Sequence, residues 1–130
     1  MSQQNMDGAR ALFAASDPLG ELVALMAPEV EFDFTAIYPD QPVLRGVGEM
    51  RRFRDDSPWG RSIRFEPEQY FDVDDERVLV LVRARATGLG SGAPIESRVA
   101  HEFTFRDGLL VRIKVYADRA EALQAAGLEG

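Results

Sequence analysis

The stretch Ser97-Arg98-Val99-Ala100-His101-Glu102-Phe103-Thr104-Phe105-Arg106-Asp107-Gly108, continued by Leu109-Leu110-Val111-Arg112-Ile113-Lys114-Val115-Tyr116-Ala117-Asp118, decides how this chain reads. It predicts a β-hairpin. Asp107-Gly108 separates two alternating segments, and a two-residue type I′ turn requires positive φ at both central positions, which this dipeptide accepts. In the first arm Ser97, Val99, His101, Phe103 and Phe105 share one face, and Arg98, Glu102, Thr104 and Arg106 share the other. The only histidine of the chain therefore points with apolar side chains. In the second arm Leu109, Val111, Ile113, Val115 and Ala117 are expected to extend that apolar face.

Working outward, Gly88 to Pro94 reads as a connection and Arg77 to Thr87, apolar on both faces in its first half, as a central strand. Arg61 to Val73 reads as a further strand, where Pro67 marks an edge or a bulge. Val30-Glu31-Phe32-Asp33-Phe34 alternates with period two and predicts a strand with Val30, Phe32 and Phe34 inward. A loop follows, with a short extended piece at Val43-Leu44-Arg45. Helical spacing appears over Asp7–Ala15, with Asn5 or Asp7 as the cap. It appears again after Asp17-Pro18, with a stripe Leu19, Leu22, Val23, Leu25 and Met26, and after Gly46 in Val47, Met50 and Phe53. Asp118-Arg119-Ala120-Glu121 has the form of a capping box opening a last short helix that closes near Gly127. Helices followed by an antiparallel sheet make an α+β fold, a curved antiparallel sheet packed on N-terminal helices.

A chain of 130 residues with 45% hydrophobic and 28% charged residues is expected to be one domain, residues 1–130. A net charge of −7 without a compact run of lysines or arginines argues against a nucleic-acid partner. With no cysteine, disulfides, thiolate metal sites and a cysteine nucleophile are excluded, and a single histidine makes a zinc site improbable. No apolar run approaches the length of a membrane span and no apolar signal core is present, so no membrane partner and a cytoplasmic location are expected. Neither Gly88-Leu89-Gly90-Ser91-Gly92 nor Gly46-Val47-Gly48 has the context of a phosphate loop, and no Gly-x-Ser-x-Gly elbow exists.

Pro28-Glu29-Val30-Glu31-Phe32-Asp33, Leu44-Arg45-Gly46 before a helix, Phe103 to Ile113, Tyr116 to Leu123 and Ala126-Gly127-Leu128 together resemble the SnoaL-like branch of the nuclear transport factor 2-like (ketosteroid isomerase-like) superfamily. The resemblance covers nearly the whole chain. It implies a cone-shaped α+β barrel around a mostly apolar pocket, often in a homodimer packed through the sheet. The superfamily includes steroid isomerases, polyketide cyclases, epoxide hydrolases, dehydratases and members without known chemistry, so the fold does not choose an activity. Where ketosteroid isomerases place an acid that hydrogen-bonds the substrate oxyanion, the matching position is His101. Their proton-transferring aspartate corresponds to the end of the first predicted strand, at Asp33 and Phe34. The helix-one tyrosine is replaced in the region of Leu12 and Phe13, and the last-strand aspartate of the cyclases and the epoxide hydrolase set have no counterpart.

His101 and Asp33 are thus the candidate catalytic residues, with the imidazole donating to an oxyanion or moving a proton. Asp33 serves as a base only if its strand bulges towards the cavity; otherwise it pairs with Arg45 or another arginine. Tyr38, Trp59 and Tyr70 are candidates to rim the pocket mouth and stack on a ligand, Ser97 to orient the imidazole, and Phe34 and Phe103 to line the pocket. The expected partners are an apolar small molecule and a second copy of the chain, joined through an outer sheet face bearing Arg83, Arg85, Arg98, Glu102, Arg112, Leu79 and Leu81. The function expected is small-molecule binding, with isomerase- or cyclase-type proton transfer beside a carbonyl, without cofactor or metal. A non-catalytic ligand-binding or dimerising module is the alternative.

Overall fold

The computed structural model describes residues 3–15, 17–37, 39–56, 63–87 and 94–128, apart from the side chains of Thr87, Pro94 and Ile95. Its helices are α1 (Gln3–Ala14), α2 (Pro18–Glu21), α3 (Gly46–Asp56) and α4 (Arg119–Ala125). Its strands are β1 (Met26–Asp33), β2 (Leu44–Arg45), β3 (Arg64–Asp72), β4 (Arg77–Thr87), β5 (Pro94–Arg106) and β6 (Leu109–Tyr116). The strands form one curved, unclosed sheet of six in the order β2-β1-β6-β5-β4-β3, antiparallel except where β1 runs parallel to β6. The α+β architecture expected from the sequence is the one observed.

The hairpin at the centre turns on Asp107 and Gly108, both at positive φ, 52° and 80°. Its register then slips. Phe105 faces Leu110 while Phe103 faces Ile113, so Val111 is an extra residue on β6 and the strict alternation of that arm is broken. Leu110 is buried at 1% exposure in the core and Leu109 is 36% exposed, which reverses the expected assignment of these two leucines.

The helix expected between Pro18 and Met26 is also corrected. It ends at Glu21, a short 3₁₀ turn spans Val23–Leu25, and Met26 already belongs to β1, opposite Leu110 of β6. Pairing with a buried strand outweighs the local helical pattern here, and Val23 and Leu25 remain exposed. Helix α1 starts before the expected caps, and Asn5, inside it, donates through Nδ2 to the Asp75 carbonyl at 2.9 Å in the β3–β4 turn. Pro67 stands in β3 at an edge of the sheet, where the register shifts between Pro67 and Gln69. This is the placement expected of a residue that cannot donate to a ladder.

Two cores lie on opposite faces of the sheet. On the inner face Phe32, Val78, Val80, Val82, Phe103 and Val115 pack beneath α1 and α3. On the outer face Leu79, Ala100 and Tyr116 are covered by α4 through Ala122 and Leu123. Asp118 caps α4, accepting from the backbone N–H of Ala120 at 2.8 Å and of Glu121 at 3.4 Å. Gly127, at φ 78°, lets Leu128 N–H return to the Leu123 carbonyl and closes the helix. Beyond α4 the outer face carries ion pairs: Arg83 with Glu68 at 3.0 Å, Arg85 with Glu66 at 3.2 Å, and Glu96 within 3.6 Å of both arginines.

Candidate functional site

The ladder sets the site. Tyr70 of β3 pairs with Val80 of β4, Val80 with His101 of β5, and His101 with Val115 of β6, so these four side chains form one row on the inner face. Strands two apart are roughly 10 Å apart at the backbone, which sets Tyr70 and His101 on either side of the small Val80. Phe13 on α1 spans the gap, with its ring 5.9 Å from the imidazole in a stacked orientation and 6.2 Å from the Tyr70 ring, edge-on.

The imidazole is enclosed by rings. Phe65 meets it edge-on at 5.0 Å between centroids and Phe103 at 6.0 Å, and only 7% of His101 is exposed. Burial pulls its pKa down from 6.5 to about 4, with no charged neighbour contributing. The ring is therefore neutral at neutral pH, with one nitrogen that donates and one that accepts. No hydrogen bond to either nitrogen is found among the described residues, and neither is among the buried, unpartnered side-chain atoms. Burial likewise raises the pKa of the Tyr70 phenol, and the nearby Arg10 guanidinium opposes this more weakly, so the hydroxyl keeps its proton. Arg10 lies over the Tyr70 ring at 5.2 Å, at the rim between α1 and β3.

Asp33 stands elsewhere. It is in register with Lys114, which pairs with Glu102, so its side chain leaves the sheet on the face opposite His101. There it accepts from Thr35 Oγ1 at 2.7 Å, from Thr35 N–H at 3.1 Å and from Arg112 Nη2 at 3.2 Å. Burial raises its pKa, but the Thr35 hydrogen bonds and the charges of Arg112 and Lys114 outweigh that and hold the carboxyl below its usual value. Of the two arrangements open to it in the sequence, this is the arginine-paired one, with Arg112 as the partner.

Of the other candidates, Phe103 and Tyr70 join His101 around Phe13. Phe34 stacks on Phe53 of α3, with centroids 5.8 Å apart, in the neighbouring part of the inner face. Ser97 is exposed near the start of β5, in a row with Ala84 and Phe65, four residues from His101. Tyr38 and Trp59 lie outside the described residues. Phe13, Phe65 and Arg10 join the site beyond the candidates that the sequence offers. The spacing of Met6, Ala9 and Phe13 carried the first signal, and the place of Phe65 in a strand with Tyr70 carried the second.

Two hollows among the described residues lie away from His101. One, of about 210 Å³, is mostly apolar and lies between α1, the start of β1 and the hairpin turn, against Leu12, Leu25, Met26, Phe105 and Leu110. The other, an open depression of about 420 Å³, is lined by Leu44, Phe53, Glu49 and Arg52 beside α3. Among the described residues no group of three or more histidines, aspartates or glutamates is placed to hold a metal ion, and no helix is long and apolar enough to cross a membrane.

Comparison with known proteins adds a family and a fold. A model of the SnoaL-like domain matches residues 6–113. Among solved structures, TerC co-crystallised with polyporic acid is similar at TM-score 0.75 and 20% identity, covering 96% of this chain and 99% of its own. A nuclear transport factor 2-like protein of unknown function from Burkholderia pseudomallei gives TM-score 0.72 and 23% identity, covering 95% and 97%. The epoxide hydrolase/cyclase-like enzyme SalBIII, with a role in pyran ring formation in the polyether salinomycin, gives 0.67 and 13%, covering 91% and 96%. No curated protein is recognisably similar in sequence.

Proposed function

The chain belongs to the SnoaL-like domain family, and on that premise we propose that it binds an apolar small molecule on the inner face of the sheet, with His101 addressing the ligand's polar atom. The observation that supports this is the enclosed, neutral imidazole among Phe13, Phe65 and Phe103. A neutral imidazole offers one donor and one acceptor, and a ligand oxygen can meet the donor. Aromatic side chains around one or two polar groups are the ordinary lining of a small-molecule site.

If the bound compound reacts, the chemistry this site suits is polarisation of a carbonyl by neutral donors, His101 and the Tyr70 phenol, with proton movement at the adjacent carbon. Neutral imidazole can act as such an electrophile, and no cofactor is required. The position of Asp33 favours the second reading, binding without turnover, because a proton-transfer pair needs both groups within reach of one substrate. A homodimer and a cytoplasmic setting belong to the same proposal, and sedimentation and cell fractionation test them.

The decisive experiment is a thermal-shift screen of wild type and His101→Phe against steroids, aromatic polyketides, enones, epoxides and polyporic acid. Saturation at 100 times Kd adds about 2.7 kcal/mol to stability. A shift in the wild type that is lost in the variant supports the site, and deuterium exchange into that compound then separates catalysis from binding. An equal shift in both proteins places the ligand elsewhere and overturns the proposal.

A further inference from the structure

The three rings around His101 are not equivalent. Phe103 is 2% exposed in the core and Phe13 is half-buried on a helix that packs across the sheet, whereas Phe65 is 40% exposed on β3, an edge strand. Across the ladder Phe65 faces Ala84, and Ala84 faces Ser97, so small side chains stand beside it on the inner face. Yet its ring makes the shortest centroid contact with the imidazole, 5.0 Å against 5.9 and 6.0 Å for the other two. A phenyl group so exposed, on an edge strand, covers the buried polar group of the site and can swing outward about χ1 without breaking the core.

From this contact we infer that Phe65 stands where one planar ring of the ligand belongs, and that it is the gate and size-selecting residue of the His101 site. The inference rests on the reading of His101 given under Proposed function. The ligand class it names is an unsaturated or aromatic six-membered ring with an oxygen substituent, the ring edge-on or stacked to the imidazole and the oxygen at a ring nitrogen. A bound ring replaces the aromatic contacts that Phe65 gives up, so displacing Phe65 sets the affinity and the upper size of the ring system. Arg10 and Tyr70, in contact with each other across α1 and β3 beside Phe13, then meet the substituent that remains outside.

The single histidine makes the test direct, because its ring protons give one assignable pair of NMR signals. Phenol serves as the planar probe and cyclohexanol as its saturated counterpart, titrated into wild type, Phe65→Ala, Phe65→Leu and Phe65→Trp. Phe65→Ala is expected to bind phenol about tenfold more tightly than wild type, the scale of one aromatic pair, with ring-current movement of the His101 signals. Phe65→Leu falls between them, Phe65→Trp binds more weakly than wild type, and cyclohexanol gains less from the alanine change than phenol does. Phe65→Leu keeps an apolar side chain on the strand and decides the matter if the alanine variant does not fold. Equal phenol affinity in wild type and in the alanine and leucine variants, with His101 signals moving in each, overturns the gate and leaves the His101 site standing. Unmoved His101 signals in every protein overturn both.

Discussion

Arg112 donates to Asp33 at 3.2 Å across the parallel pair of β1 and β6, on the face of the sheet turned away from His101. The carboxylate also accepts from the Thr35 hydroxyl and N–H, so most of its hydrogen-bonding capacity serves the structure. Asp33→Asn is expected to cost about 1–2 kcal/mol of stability at neutral pH, discounted for the partial exposure of Arg112, and to leave ligand affinity at His101 unchanged. Because the folded carboxyl is held below its usual 3.8, its contribution is complete above that value and disappears as pH falls through the lower folded pKa. Urea melts of both proteins at pH 7 and at pH 3 check this; a difference that persists undiminished at the lower pH contradicts it.

His101 gives the second pH dependence, with its own window. The folded imidazole takes a proton only near pH 4, against 6.5 in the unfolded chain, so the unfolded state binds the proton first. Stability is therefore full above about 6.5 and declines between there and about 4, by an amount on the order of 3 kcal/mol. His101→Phe is expected to remove that slope while leaving the one from Asp33. Denaturation at half-unit pH steps from about 7 to about 2.5 resolves the two, and an NMR midpoint for the histidine near 6.5 in the folded protein would refute the buried, neutral ring.

The sequence was most legible where one local rule acted alone. The Asp107-Gly108 turn, the Asp118 cap, β4 and the inward side of His101 follow from turn chemistry, capping and period two, and the structure keeps each of them. Legibility failed where a neighbouring strand competed with local pattern: Met26 left its helical stripe to pair with Leu110, and Val111 bulged. The site was half legible for the same reason. Periodicity shows which face His101 uses, but Tyr70 shares that face with Phe65 only because the register shifts between Pro67 and Gln69, and the contact of Phe65 and Phe13 with the imidazole depends on sheet curvature and on how α1 lies across it, which leaves no short-range mark.

Arg119 joins α4 to the edge of the sheet. Its guanidinium donates to the Val82 carbonyl at 2.9 Å and the Val99 carbonyl at 3.2 Å, and pairs with Glu68. Val82 faces Pro67, which has no N–H to offer, so the arginine supplies a donor at a place where the ladder lacks one. Arg119→Ala is expected to lower stability by about 2 kcal/mol and Arg119→Lys to recover only part of that, because one ammonium cannot reproduce the fork. Hydrogen exchange should quicken in α4 and β3 together; faster exchange in α4 alone would mean that the arginine does not couple them.

The bulge at Val111 makes the last prediction, and it separates two adjacent leucines that alternation alone assigns the wrong way. With strict pairing Leu109 would face the core beside Phe105 and Leu110 would face outward. The slip between Thr104 and Phe105 instead turns Leu110 in, at 1% exposure, against Phe105 and Met26, and leaves Leu109 at 36%. Leu110→Ala is therefore expected to cost about 3 kcal/mol, the price of a cavity in a packed interior, and Leu109→Ala less than about 1 kcal/mol. Leu110 also lines the apolar cleft of about 210 Å³ beneath α1, so truncating it enlarges a hollow that already exists, and relaxation cannot refill it. Equal losses from the two substitutions in a chemical-denaturation experiment, or a larger loss at Leu109, would return the hairpin to unbroken alternation and move the inner face of β6 by one residue.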